Sequence, residues 1–516
     1  ATLFLDPKAA EKAEARRVQH AYFQKLLEEA AAACPDVSAK LQAVLAFLRD
    51  ADSLAELHRQ LQAAKAKPSD NAVFSVDGAS LLEAESLKTF WRNRRRHAAA
   101  AAGARSLRVC VATGELAETL DTTEKIKGVP GGLATGTNLI SFDKDSFCSF
   151  GLEQAQNAAL SAPAELKIRS ALNRLIEDSR KDKLVFNNTV HLHWTRQPVA
   201  YDPFDILASG DEKAVAELLK SVHAGQPPGG LDANAYYALS LSGNGARVVV
   251  RDWLESTVPE VERHVAQWFE DLGIVSPDGV GVKRDFKFFA LLYGLVRKEL
   301  DELPPQVSTQ LLHAALRGTP LPQSALAAAL KRQQIEPKGE DAMRNATIVA
   351  RLALIKACLL RSPNSQTNNN SQTKGNTMTE CLNPESRDPA YLCGRLFAVF
   401  DELQNAALPN LNAGVVERFY ASACVTPALV MGRLFRNAQF HSAKAIGEGG
   451  WQKGKAINAQ KDFEAISCAL GDQFPATLDL EGQGRFALGY YHQKAEYRRR
   501  SAERKEAEAK AEAATA

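Results

Sequence analysis

The stretch that most constrains the fold is a polar tract at residues 362–379. It is rich in Asn, Gln, Ser and Thr and carries no large apolar side chain before Met378, so no core can absorb it. It reads as a linker and divides the 516-residue chain into a long body and a shorter C-terminal part. With 45% hydrophobic and 24% charged residues, both parts can build cores, and a wholly disordered chain is excluded. No stretch approaches the roughly 18–20 uncharged apolar residues of a membrane helix, so no membrane partner is expected. The eight cysteines stand at 34, 110, 148, 358, 381, 393, 424 and 468, with no C-x-x-C pair. That spacing argues against a zinc site or a disulfide framework and for buried, reduced thiols in a cytoplasmic protein. The chain opens at Ala1 with neither Met nor a signal-peptide pattern.

Periodicity predicts an α+β fold in five parts. Residues 1–68 read as helical, with Leu41, Val44, Leu45 and Leu48 at helical spacing. Residues 69–361 read as a mixed body with small sheets. Strands are predicted at 73–76, 107–112 and 184–194, and a helix over 164–176. Asn244-Gly245, between β-prone runs, signals a hairpin. After the 362–379 linker, residues 380–495 read as a helical bundle, with Thr426-Pro427 starting one helix. Residues 496–516 form a charged tail.

The patterns that would carry catalysis fail on inspection. Residues 449–455 have P-loop spacing, but Ala456 stands where Mg²⁺ needs Ser or Thr, and no apolar strand precedes. His191 and His193 share a strand face without a third ligand nearby, which fits a polar face better than a metal site. No G-x-S-x-G elbow occurs. No enzyme activity, cofactor or metal is therefore expected.

What remains suits binding. Net charge is only +2, but residues 81–108 hold seven basic side chains against Glu83 and Glu85. Within them, Phe90 and Trp91 adjoin Arg92, Arg94, Arg95 and Arg96, which either clasp phosphates or form a solvated helix end. Lys125 and Lys127 lead into a glycine-rich segment, Gly128, Gly131, Gly132 and Gly136, that closes on Thr137 and Asn138. Such a segment lets backbone approach a phosphate, or is an ordinary loop. Arg247 and Arg251 share a strand face. Arg433 and Arg436 accompany Asn437, Gln439, His441 and Lys444 on one helical stretch, which suits a single strand's backbone or a plain surface helix.

Four stretches together resemble one family, the large subunit of the type I-C CRISPR surveillance complex, Cascade. The first runs from Cys110-Val111-Ala112-Thr113-Gly114-Glu115 through Lys125-Ile126-Lys127-Gly128-Val129 to Thr137-Asn138-Leu139-Ile140-Ser141-Phe142 and Phe147-Cys148-Ser149-Phe150-Gly151. The second is Asn157-Ala158-Ala159 ahead of Ala171-Leu172-Asn173. The third is Tyr236-Tyr237-Ala238-Leu239-Ser240-Leu241-Ser242 with Arg247 and Val250-Arg251-Asp252-Trp253. The last joins Tyr391-Leu392-Cys393-Gly394-Arg395-Leu396-Phe397 and Arg418-Phe419-Tyr420 to Ala487-Leu488-Gly489-Tyr490-Tyr491-His492. The resemblance spans residues 74–491; the family's opening strands, the first helical stretch and the polar linker have no counterpart in it.

The resemblance implies a non-catalytic subunit near the 5′ handle of the CRISPR RNA. Such a subunit reads a protospacer-adjacent motif in target double-stranded DNA and helps open the duplex for guide pairing. It stabilises the R-loop among other Cascade subunits and recruits the helicase-nuclease. It also implies that the C-terminal bundle resembles a small subunit started within the same gene, for which Met378 is placed. The rival expectation is an interaction scaffold that contacts only protein subunits.

Overall fold

The computed structural model describes residues 10–65, 72–101, 107–142, 144–177, 183–199, 202–224, 234–339, 341–363, 378–409, 411, 413–471 and 474–515. The predicted break at 67–70 and most of the polar tract (364–377) lie outside them. Two compact units are present: Ala1–Thr119 with Ala159–Ala162, and Leu120–Ala158 with Pro163–Ala516. The fold is α+β, as the periodicity predicts, with helices predominating among the described residues.

In the first unit, α1 (Ala10–Ala33), α2 (Ser38–Arg49) and α3 (Ala51–Ala63) follow one another. Leu41, Val44 and Leu48 of α2 meet Ala30, Cys34, Leu81 and Leu87 in one apolar cluster. The strand predicted at 73–76 is cut to β1 (Ser75–Val76), paired with β2 (Ala79–Ser80). Asp77 and Gly78, both at positive φ, turn the chain there. The arginine-rich run lies on α4 (Glu85–Ala101), followed by the antiparallel pair β3 (Leu107–Val109) and β4 (Leu116–Glu118).

The second unit is organised on a four-stranded antiparallel sheet ordered β5 (Leu184–Phe186), β6 (Thr189–Thr195), β7 (Ala235–Asn244) and β8 (Arg247–Thr257). The single strand expected over 184–194 is a hairpin. Asn187 and Asn188 adopt φ of 48° and 54°, which Asn tolerates, and apolar alternation continues through the turn, hiding it. One face carries Val190, Leu192, Leu239, Leu241 and Val248 against Leu172 and Ile176 of α5 (Ala162–Ile176). His191 and His193 do share the other face, but it is a buried face, not a solvated one. The His191 ring stacks on Phe186 and the His193 ring on Phe204, each at 4.2 Å. Their nitrogens meet the Ser240 hydroxyl and the Asp202 carboxylate, each at 2.7 Å.

Behind that face lie α6 (Pro203–Ser209), α7 (Glu212–His223) and α8 (Val258–Leu272). After the small hairpin β9 (Ile274–Val275)–β10 (Val282–Lys283) come α9 (Phe288–Tyr293), α10 (Pro305–Arg317), α11 (Gln323–Ile335) and α12 (Ala342–Leu360). A second core is built by α13 (Pro389–Ala407), α14 (Val415–Val425), α15 (Pro427–Glu448), α16 (Gly450–Leu470) and α17 (Leu480–Thr515). Pro427 stands at the first turn of α15, as expected.

The two cores share a helix. On α17, Ala487, Leu488, Tyr491 and Ala495 belong to the first core, while Phe486 and Tyr490 belong to the second. Met378 packs against the first core. Five cysteines are buried as expected, but Cys148 is only partly covered, and Cys381 and Cys468 are exposed.

Candidate nucleic-acid interface

The glycine-rich segment is a closed loop docked on the sheet. Ile126 and Thr137 pair antiparallel through two N–H···O bonds of 2.8 Å, pinching off the residues between them. The loop lies along the β7–β8 hairpin tip. Gly243 N–H donates to the Pro130 carbonyl at 2.7 Å, Asn138 N–H to Ala246 at 2.8 Å, and Val248 N–H to Asn138 at 2.9 Å. Bridges Gly132–Gly245 and Asn138–Arg247 complete the seam.

That docking explains two of the glycines better than ligand approach does. A Cβ on Gly243 would lie 2.2 Å from Gly132 N, and one on Gly132 would lie 2.5 Å from Thr137 Cγ2, closer than side chains tolerate. At Gly132, the space a Cβ would need is taken up by the Thr137 methyl and the Val129 carbonyl. Thr137 is buried, and its hydroxyl donates to the Ile126 carbonyl at 3.4 Å. Asn138 is half-buried, with its backbone in the seam.

Lys125 and Lys127, the two lysines beside this seam, face solvent, while Arg247 is half-buried. The Lys127 backbone is anchored by Asn173 Oδ1 at 3.0 Å, and Gly128 (φ 74°) turns beside Ile176, so the lysines stand on a fixed loop. Arg247, at the hairpin tip, sets its guanidinium 4.6 Å above the Phe147 ring. Arg251 occupies the β-bulge opposite Ser240–Leu241 and donates to the Ser242 hydroxyl at 2.7 Å. Lys125, Lys127, Arg247 and the loop are thus brought onto one structural seam.

The other expected residues lie elsewhere. Arg92 donates to Glu85 at 3.0 Å, and Arg94 is held by Glu29 and by the Tyr22 hydroxyl at 3.1 Å. The side chains of Arg95 and Arg96 lie outside the described residues. Arg433 sits 5.4 Å over the Phe419 ring on α15, where Arg436 is exposed. The P-loop-like residues fall at the α15–α16 junction, and Lys455 pairs with Glu402 at 3.1 Å.

Sequence reasoning missed the aromatics of this unit. Phe150, fully exposed with φ 57°, projects from a loop that Asn157 pins through Ser149 N–H and the Leu152 and Gln154 carbonyls. Trp194, Tyr237 and Trp253 gather on the sheet, with centroids 5.6–5.9 Å apart. Strand parity carried the signal for that cluster; no local signal marks the Phe147–Arg247 stack.

The chain combines predominating helices with a small antiparallel sheet, a docked loop bearing two lysines and a C-terminal bundle. The profile of the family described as CRISPR-associated protein (Cas_Csd1) matches residues 3–498, nearly the whole chain. The chain belongs to that family and is a CRISPR-associated protein of the Cascade type. No curated protein matches it. Among the described residues, no helix is long and apolar enough to cross a membrane.

Proposed function

We propose that this chain is the large subunit of a type I-C surveillance complex, a non-catalytic subunit that binds nucleic acid. In this reading it works beside a CRISPR RNA, reads a protospacer-adjacent motif in double-stranded DNA and helps open the duplex. It then steadies the R-loop and recruits the helicase-nuclease. The observation that carries the reading is the meeting of Lys125 and Lys127, beside a loop docked on the sheet, with Arg247 at the hairpin tip, inside a chain matched by the family over 3–498. Fixed cations position a phosphate backbone with little ordering cost, while guide pairing supplies sequence discrimination.

The test is binding of the assembled complex, loaded with CRISPR RNA, to duplexes with and without the motif. Motif-dependent binding that weakens when both lysines are replaced supports the reading. Motif-independent binding overturns it. The scaffold alternative is favoured at one place, α4, where Arg92 and Arg94 are satisfied by the chain's own carboxylates.

A further inference from the structure

The ribbon β3–β4 carries a feature that nucleic-acid binding does not explain. Leu107, Val109 and Val111 alternate along β3 and its continuation, and Leu116 stands opposite Val109 on β4, so the four side chains share one face. They are 59%, 59%, 67% and 65% exposed. Four large aliphatic groups side by side in water form a patch. The opposite face holds the ribbon in place. Cys110 is buried there, its sulfur accepting the Ser161 N–H at 3.4 Å, and Thr119 bridges to Ser161. Val111 N–H donates to the Ala159 carbonyl at 2.9 Å, and Gly114 N–H closes the turn on the Cys110 carbonyl at 2.8 Å. The patch is thus preformed. The chain leading into β3, residues 97–106, holds no large apolar side chain that could fold back over it.

Charge decides what can cover such a face. Glu118 shares it, opposite Leu107, and Glu115 is exposed at the turn, so both ends of the patch are acidic. Arg108, the ribbon's only cation, falls on the other face by strand parity. Acids repel a phosphate backbone, and aliphatic branches give a base no ring to stack on. A second copy of the patch is disfavoured as well. Two such ribbons laid face to face bring an acidic end onto an acidic end in either alignment. An aliphatic protein surface rimmed by Lys or Arg satisfies both the patch and its ends.

We propose that the outer face of β3–β4 docks a different protein subunit, through an aliphatic patch bordered by basic side chains on that partner. The proposal rests on the reading of this chain as one subunit of a surveillance complex, and deepens it by assigning a protein-facing surface and the partner's chemistry.

The experiment follows the full chain joining a complex of the other protein subunits and CRISPR RNA assembled without it, by biolayer interferometry across a salt series. Val109→Thr with Leu116→Thr keeps β-branched side chains in both strands but removes apolar surface, and should weaken joining about tenfold or more. Glu115→Lys with Glu118→Lys should weaken it at low salt, with the difference shrinking as salt rises. The aliphatic side chains are exposed in the free chain, so the melting temperature of the threonine variant should match wild type. Hydroxyl-radical footprinting should find Leu107 and Leu116 oxidised in the free chain and protected after joining. Wild-type joining by the threonine variant, or equal oxidation of both leucines before and after, overturns the proposal. A dimer of the free chain that the threonine variant abolishes overturns it by assigning the face to a second copy. A loss reproduced on CRISPR RNA or duplex DNA alone overturns it by assigning the face to nucleic acid. Motif dependence is scored on complexes that already contain the chain, so a failure of the motif reading leaves this one standing, and the reverse holds.

Discussion

Gly394 and Gly489 seat α13 and α17 against each other backbone to backbone. A Cβ on Gly394 would lie 2.0 Å from the Phe486 carbonyl oxygen, and one on Gly489 would lie 2.1 Å from that of Tyr391. The crossing leaves no room for any side chain at either position.

Gly394→Ala and Gly489→Ala should therefore each destabilise the chain by about 3 kcal/mol or more. Helix propensity alone argues the opposite sign, because Ala favours a helix interior by about 1 kcal/mol. Urea unfolding decides between them. A gain in stability in either variant would show that the helices slide apart at no cost.

Acid should unfold the protein earlier than its carboxylates require. Burial pushes His191 and His492 down to about 3, the latter further disfavoured by Lys356 and Arg395. Among the described residues the buried Nε2 of each finds no partner, so both are held neutral. Their folded values lie below the unfolded value of about 6.5, so their contribution is complete above that pH and declines as pH falls toward 3. The expected slope is about 1.4 kcal/mol per pH unit for each histidine. Carboxylates held low, such as Glu336 and Glu402, act in a more acidic window. Stability measured at pH 7.5, 6 and 5 in wild type and in H191Q/H492Q checks this. An equally steep decline in the double variant would sink it.

Replacing Lys125 and Lys127 with Ala should weaken target binding by the assembled complex and reduce the slope of log affinity against log salt by about 2. Both side chains are exposed, so stability should not change. Identical salt series for variant and wild type would remove the loop from the interface.

Met378→Leu in the native gene tests the internal start that the sequence resemblance implies. The side chain packs against the first core, and Leu nearly conserves its volume, so the full-length chain should fold normally. Loss of a short product from the purified complex is expected; its persistence would refute a start at Met378. A product beginning there would keep the second core but uncover Tyr391, Leu488, Tyr491 and Ala495. It should accordingly self-associate or bind an apolar dye when isolated.

Much of the fold was legible because local signals agreed with burial. Leu41, Val44, Leu45 and Leu48 are all buried, the helix expected over 164–176 runs Ala162–Ile176, and Asn244-Gly245 marks the hairpin tip. Other features were not legible, for particular reasons. Alternation persists across Asn187-Asn188, so period alone could not separate one strand from two. Glycine at 132 and 243 signals freedom from a Cβ, but not whether a ligand or another strand fills the space. The buried setting of His191 and His193 depends on helices more distant in sequence. On α15, the charges of Arg436 and Lys444 stand out in the sequence, whereas the exposure of Phe440 midway between them depends on which side of the helix faces water.

The sharing of α17 between two cores has a consequence for synthesis. This helix follows every other element of both cores in chain order, so neither can close while it is still within the ribosome. The nascent body must wait with Ile355 and Leu359 of α12, which face Gly484 of α17, unsheltered, and folding of both halves then completes nearly together. A stalled or prematurely terminated chain would strand two incomplete cores at once, making this last helix the step at which chaperone dependence should concentrate.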